Sequence, residues 1–194
     1  GSSFIVRIGA DEEHCDVSYD NSYNRYLFVW QNVFSQTDVE VRGQLTDSNA
    51  NLIAPNNFLI TSPAGASVAM RPRVANVDYT SRFIVAWQLQ TSLFGAGTIA
   101  FASVHPSNGA VSGIGLVSGG GGDSQPELGN AVSSDNDALL VFARHGDGIR
   151  GIQIDVPSSG DPSTTGSLVT ISTGGVDHSP TVSDQSLTSR VVAW

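Results

Sequence analysis

One phrase, written four times, constrains this chain more than any other feature. It reads Cys15-Asp16-Val17-Ser18-Tyr19 followed by Tyr26-Leu27-Phe28-Val29-Trp30. It returns as Pro72-Arg73-Val74-Ala75-Asn76 with Phe83-Ile84-Val85-Ala86-Trp87, and as Pro126-Glu127-Leu128-Gly129 with Leu139-Leu140-Val141-Phe142. The last copy is Pro180-Thr181-Val182-Ser183 with Val191-Val192-Ala193-Trp194. The anchors stand at positions 15, 72, 126 and 180, steps of 57, 54 and 54 residues. Self-similarity at such a period marks a repeat architecture, in which each unit hides its apolar face against the next.

Each unit reads as four strands. The first begins just after Pro, which has no N–H to donate to a ladder. A polar turn such as Asp20-Asn21-Ser22 or Tyr79-Thr80-Ser81 leads to the second strand. That strand is β-branched, aromatic and almost continuously apolar, as when both faces are buried. The third alternates at period two, as in Val39-Glu40-Val41-Arg42-Gly43-Gln44-Leu45. After a turn-rich tip, Asn57-Phe58-Leu59-Ile60-Thr61, Ile114-Gly115-Leu116-Val117-Ser118 and Leu168-Val169-Thr170-Ile171-Ser172 close the three units.

Four strands at this period fit the antiparallel blade of an all-β propeller. The chain then reads as one repeat domain: an outer strand at 4–8, blades at 15–62, 72–118 and 126–172, and a half blade at 180–194. Tandem β-sandwich repeats are the alternative. Trp30, Trp87, Trp194 and Phe142 are expected in the core, and Cys15 as a small buried hydrophobe.

Composition narrows the function classes. The net charge is -9, only 14% of residues are charged, and all nine basic residues are arginines. An acidic chain without basic clusters is poorly suited to nucleic acid or an anionic membrane. No apolar run nears the roughly 18 residues that a membrane helix needs. The single cysteine excludes an intrachain disulfide and a cysteine-based zinc cluster.

The phrase Pro-x-Val-Ala, polar turn, Phe-Ile-Val-Ala-Trp-Gln resembles propeller-type repeats of large secreted or surface proteins of bacteria. There, a Pro-x-Val-Ala … Tyr-Leu-Val-Val-Trp unit precedes an Ile-Tyr-Gln-Arg strand and a glycine turn. Cys15 and Phe142 depart from the pattern, and Asp47-Ser48-Asn49 replaces its Asp-Gly turn. The resemblance implies recognition or scaffolding outside the cell, and it carries over no catalytic residue.

The residues name no catalytic, cofactor or metal site. Sialidase-type Asp boxes, a nucleophile elbow, a Walker loop and a dinucleotide fingerprint are all missing from the sequence. Asp20 and Asp78, at matching places after strand one, and Asp184 read as turn-formers. Asp135-Asn136-Asp137 and His145-Gly146-Asp147-Gly148 lack the third carboxylate of a calcium loop. Asp11-Glu12-Glu13-His14 and Asp177-His178 read as solvated inter-blade loops, with a metal bridging His14 and His178 as the alternative.

The expected function is a non-enzymatic binding or structural module of an exported or cell-surface protein, serving protein or glycan interaction or assembly. The alternative is a carbohydrate-active hydrolase with carboxylates in the propeller channel, drawn from Asp20, Asp78 and Glu127. The half unit at the end adds an expectation about partners. Its exposed strand edge at 190–194 would pair with another chain; closure by the strand at 4–8 is the alternative.

Overall fold

A computed structural model describes residues 12–61, 68–91, 96–117, 121–129, 136–173, 179–183 and 191–194. Among the described residues fourteen strands run in chain order. Blade 1 is the antiparallel meander β1 (Glu12–Asp20), β2 (Arg25–Ser35), β3 (Asp38–Asp47) and β4 (Leu52–Leu59). Blade 2 comprises β5 (Val68–Val77), β6 (Arg82–Gln90), β7 (Thr98–Val104) and β8 (Gly115–Leu116). Blade 3 comprises β9 (Asp123–Gly129), β10 (Asp137–Arg144), β11 (Gly148–Asp155) and β12 (Ser163–Thr170). β13 (Thr181–Val182) and β14 (Val192–Ala193) pair as a half blade. Among the described residues the one helical element is a 3-10 turn at Asp78–Thr80. Among the described residues, the sheet edges of blades 1 and 2 are joined by a parallel bridge, Val39 to Val68.

The core lies between blades. Leu27, Val29, Val41 and Leu45 of blade 1 meet Val74, Phe83, Val85 and Trp87 of blade 2. On the far side of blade 2, Ile84, Ala86, Ile99 and Phe101 meet Leu128, Leu140, Phe142 and Ile154 of blade 3. Odd residues of β6 thus face one neighbour and even residues the other, the period of a strand. This explains why second strands read as unbroken apolar runs. Full burial of a side chain such as Phe83 contributes about 1.5–3 kcal/mol.

Face-to-face packing of successive four-stranded blades is the propeller architecture expected from the repeat. Several details differ. The first strands begin before the anchors, at Glu12, Val68 and Asp123. Pro72 and Pro126 stand inside a β-bulge instead of opening the strand, whereas Pro180 directly precedes β13. In β1 the pairing passes from Glu13–Gln31 to Asp16–Val29, three residues against two. It does the same from Met70–Gln88 to Arg73–Ala86 and from Ser124–Ala143 to Glu127–Val141. The bulge absorbs one extra residue, and the residue opposite it is Trp30, Trp87 or Phe142. Pro, bulge and aromatic therefore recur together as one structural device.

Cys15 is exposed, against expectation. Its counterparts Pro72, Pro126 and Pro180 are buried, because they face the preceding blade. In blade 1 no described blade covers that face, and Val17 (47%) and Tyr19 (38%) are also open on it. Trp30 and Trp87 are buried as expected, but Trp194 is 56% exposed at the rim of the half blade. Asp20 and Asp78 are not equivalent. Asp20 pairs with Arg25, whereas Val77 pairs with Arg82, so Asp78 lies one residue beyond the matching place. The closing strands are also shifted, since β4 and β12 start five residues before their expected first residues. The expected strand at 4–8, together with Asp11, Asp135, Asp177, His178, Asp184 and Arg190, lies outside the described residues.

Candidate functional site

The first strands β1, β5, β9 and β13 are neighbours in turn, and their bulges fix what faces the space between them. The leading bulge residue is His14, Arg71 or Gln125, and Ser179 holds the same column of the repeat just before β13; their φ values are 48°, 53°, 53° and 53°. This left-handed conformation costs a side-chain-bearing residue about 1–2 kcal/mol. All four residues line one cavity of about 410 Å3. It is a ring with one residue from each blade.

Two residues further along each strand comes a second ring: Asp16, Arg73, Glu127 and Thr181. Arg73 Nε donates to Glu127 Oε1 at 2.5 Å, joining blades 2 and 3. Asp16 joins blades 1 and 2. Its Oδ1 accepts from Val17 N and its Oδ2 from Val74 N, each at 2.9 Å. The second bond uses a backbone donor on the free edge of β5. Burial raises the Glu127 pKa above its ordinary value; the hydrogen bond and charge of Arg73 oppose this, and the charge of Asp16 adds to it. Arg73, Glu127 and Thr181 line the cavity with the bulge ring. The axis therefore presents a carboxyl that holds its proton more tightly than usual, a cation against it, and a second carboxylate within electrostatic reach.

Asp20 lies four residues beyond Asp16, about 13 Å along the strand. It is fully buried. Oδ1 accepts from Tyr23 N at 2.7 Å, while Oδ2 has no hydrogen-bond partner. Burial raises its pKa, and nearby Asp78 raises it further. Asp78 accepts from Asn76 Nδ2 at 2.5 Å. Of the three carboxylates expected in the channel, Glu127 is there; Asp20 and Asp78 belong to the opposite end of the strands.

The remaining candidates are held elsewhere. Asp147 pairs with Arg150 at 3.1 Å, and His145–Asp147 form a hairpin loop closed by Asp147 N donating to Arg144 O at 2.9 Å. Asn136 Nδ2 donates to Asp155 Oδ1. No group of three His, Cys, Asp or Glu suited to a metal occurs among the described residues. His14 lines the axial cavity; His178 is outside the description.

Asp16 and Arg73 were not singled out in the sequence, although a signal exists. They occupy the same column of the repeat as Glu127, immediately after the anchor, where charge is otherwise sparse.

No protein-family model and no curated protein matches this chain. Solved structures do. A GH43 endo-arabinanase from Bacillus licheniformis superposes with a TM-score of 0.58 at 16% identity, over 92% of this chain and 64% of that one. An exo-β-1,3-galactanase from Phanerochaete chrysosporium, at a TM-score of 0.40 and 12% identity, covers 80% of this chain and 50% of that one. This chain thus spans less than two thirds of the arabinanase. At such identity the likeness to the arabinanase establishes a shared propeller fold. The expectation of a non-enzymatic module is corrected by these findings. It rested on the repeat architecture, the low charge and the lack of an acid–base constellation, whereas the arabinanase on which the chain superposes is a GH43 enzyme and the chain's own axis gathers two carboxylates and an arginine.

Proposed function

We propose that the chain is a carbohydrate-active hydrolase whose reaction centre is the axial cavity. Glycoside hydrolysis requires two carboxyl groups flanking the scissile bond, one of them protonated at working pH. Burial moves Glu127 toward that condition by raising its pKa, against the opposing pull of Arg73. In this reading Glu127 gives its proton to the departing glycosidic oxygen. Asp16, oriented by two backbone N–H groups, is the second carboxylate. Each of its oxygens keeps a further lone pair for the substrate side. Arg73 limits how far the Glu127 pKa rises and fixes its orientation.

The observation that carries the reading is the raised, half-buried carboxyl of Glu127, opening into the cavity beside Arg73 and sensing Asp16. The arabinanase likeness is in keeping with a glycan substrate. Action outside the cell, where polymeric glycans are met, agrees with the low charged fraction of 14%.

Reducing-end release from arabinan, galactan, xylan and pectin tests the proposal. Glu127→Gln is expected to lower the rate about 10²–10⁴-fold, the usual share of a general acid, with unchanged circular dichroism. No release from any of these polymers, or equal rates for both proteins, would remove the reading.

A further inference from the structure

We infer that the bulge ring recognises an anionic group on the glycan, so that the cavity selects charged over neutral sugars. This rests on the hydrolase reading only in taking the ligand to be a glycan.

The argument starts from the arginines, which carry all the formal positive charge of a chain of net charge -9. Most of those described are engaged. Arg42 pairs with Glu40, Arg73 with Glu127, Arg144 with Asp123 and Arg150 with Asp147. Arg82 donates to Ser158 O at 3.1 Å. Arg71 differs. Its backbone N–H donates to Gln31 Oε1 at 3.0 Å, but its guanidinium has no ion pair or hydrogen bond among the described residues, and it lines the axial cavity.

The backbone supports the same conclusion. Arg71 occupies a left-handed bulge position at φ 53°, where glycine would be free of strain. The three blades and the half blade each put a side chain at this column instead, and each lines the cavity. Arg71 sits between blade 1, which offers the His14 ring, and blade 3, which offers the Gln125 amide. Arg73 is already held by Glu127 through its Nε. The cavity mouth thus keeps one guanidinium without a partner among the described residues, with the His14 ring and the Gln125 amide beside it. A planar guanidinium bonds a carboxylate or a sulfate ester through two parallel N–H groups. The chemistry named is therefore a sugar oxyanion, met either as a uronate carboxylate or as a sulfate ester.

Calorimetric titration of the whole chain with galactotriose, tri-galacturonate and a sulfated galactotriose decides it, and the two charged probes distinguish the sources. At least one should bind about tenfold more tightly than the neutral trisaccharide, a typical worth for a hydrogen bond to a charged group. Arg71→Gln places at blade 2 the residue blade 3 already carries at this bulge. It should bring the charged probe down to the neutral affinity, while Arg150→Gln, on the outer strands, should not. Equal affinities in the wild type, no binding of any probe, or an unaltered preference in Arg71→Gln overturns the inference. Reducing-end release is followed separately. Charge-selective binding without cleavage removes the hydrolase reading and leaves this one standing; cleavage without charge preference does the reverse.

Discussion

The two ends of the first strands carry the same kind of group in opposite circumstances. Glu127 and Asp20 both have pKa values raised mainly by burial. Glu127 has Arg73 at 2.5 Å and lines a cavity of about 410 Å3. Asp20 is fully buried, with Oδ2 unpartnered and Asp78 raising it further. A raised carboxyl is therefore not sufficient to mark a reaction centre. Substrate access and a compensating cation distinguish a group that can exchange a proton with a ligand from one that only burdens the fold.

The comparison breaks most sharply in activity. Glu127→Gln should abolish glycan hydrolysis to the extent given above, while Asp20→Asn should retain the wild-type rate, as read by reducing-end release. Loss of activity in both variants would place the chemistry at neither end specifically.

A third carboxylate extends the comparison to a fully paired group. Asp123 is completely buried, and Arg144 holds both of its oxygens, at 2.7 and 2.9 Å. Arg144→Met would leave that charge buried alone. The expected loss in urea denaturation is about 3–5 kcal/mol, well beyond the effect of any change at Asp20.

Arg73→Met sharpens the account of Glu127. Arg73 lowers the pKa that burial raises, so its removal should lift it further. A general acid with a higher pKa stays protonated to higher pH, and the alkaline limb of the rate profile should move upward. A limb that moves down or stays fixed would show that Arg73 does not act on the titrating group.

The smallest effect is at Asp20. Its folded pKa is raised above the ordinary 3.8, so folding favours the protonated form. The contribution of Asp20 to stability is highest at acid pH and falls as pH rises through the folded value. Asp20→Asn should then stabilise the chain at pH 7, and the gain should vanish on acidification toward pH 3 in the same denaturation assay.

The blade repeat was legible because packing both faces of β2, β6 and β10 demands continuous apolar runs, and these are visible in residue types. The bulge was not. An extra residue in a strand leaves Pro72 and Pro126 looking like strand starts, and nothing in the identities of His14, Arg71, Gln125 and Ser179 announces a positive φ. The exposure of Cys15 and Trp194 depends on whether a neighbour covers a face, which a residue's own pattern cannot express. The axial site escaped for a related reason. Its members are one residue from each blade, Asp16, Arg73 and Glu127, related by the fold and not by a local motif. Glu127 was considered as a channel carboxylate, but in the company of Asp20 and Asp78, whose strand-end positions point to the other end of the molecule.

Titration of the Glu127 side-chain carboxyl by carbon-13 NMR tests the central claim most directly. The account predicts a midpoint above the ordinary 4.5 of glutamate, moving higher still in Arg73→Met and lower in Asp16→Asn. A midpoint at or below the ordinary value, indifferent to both substitutions, would contradict it.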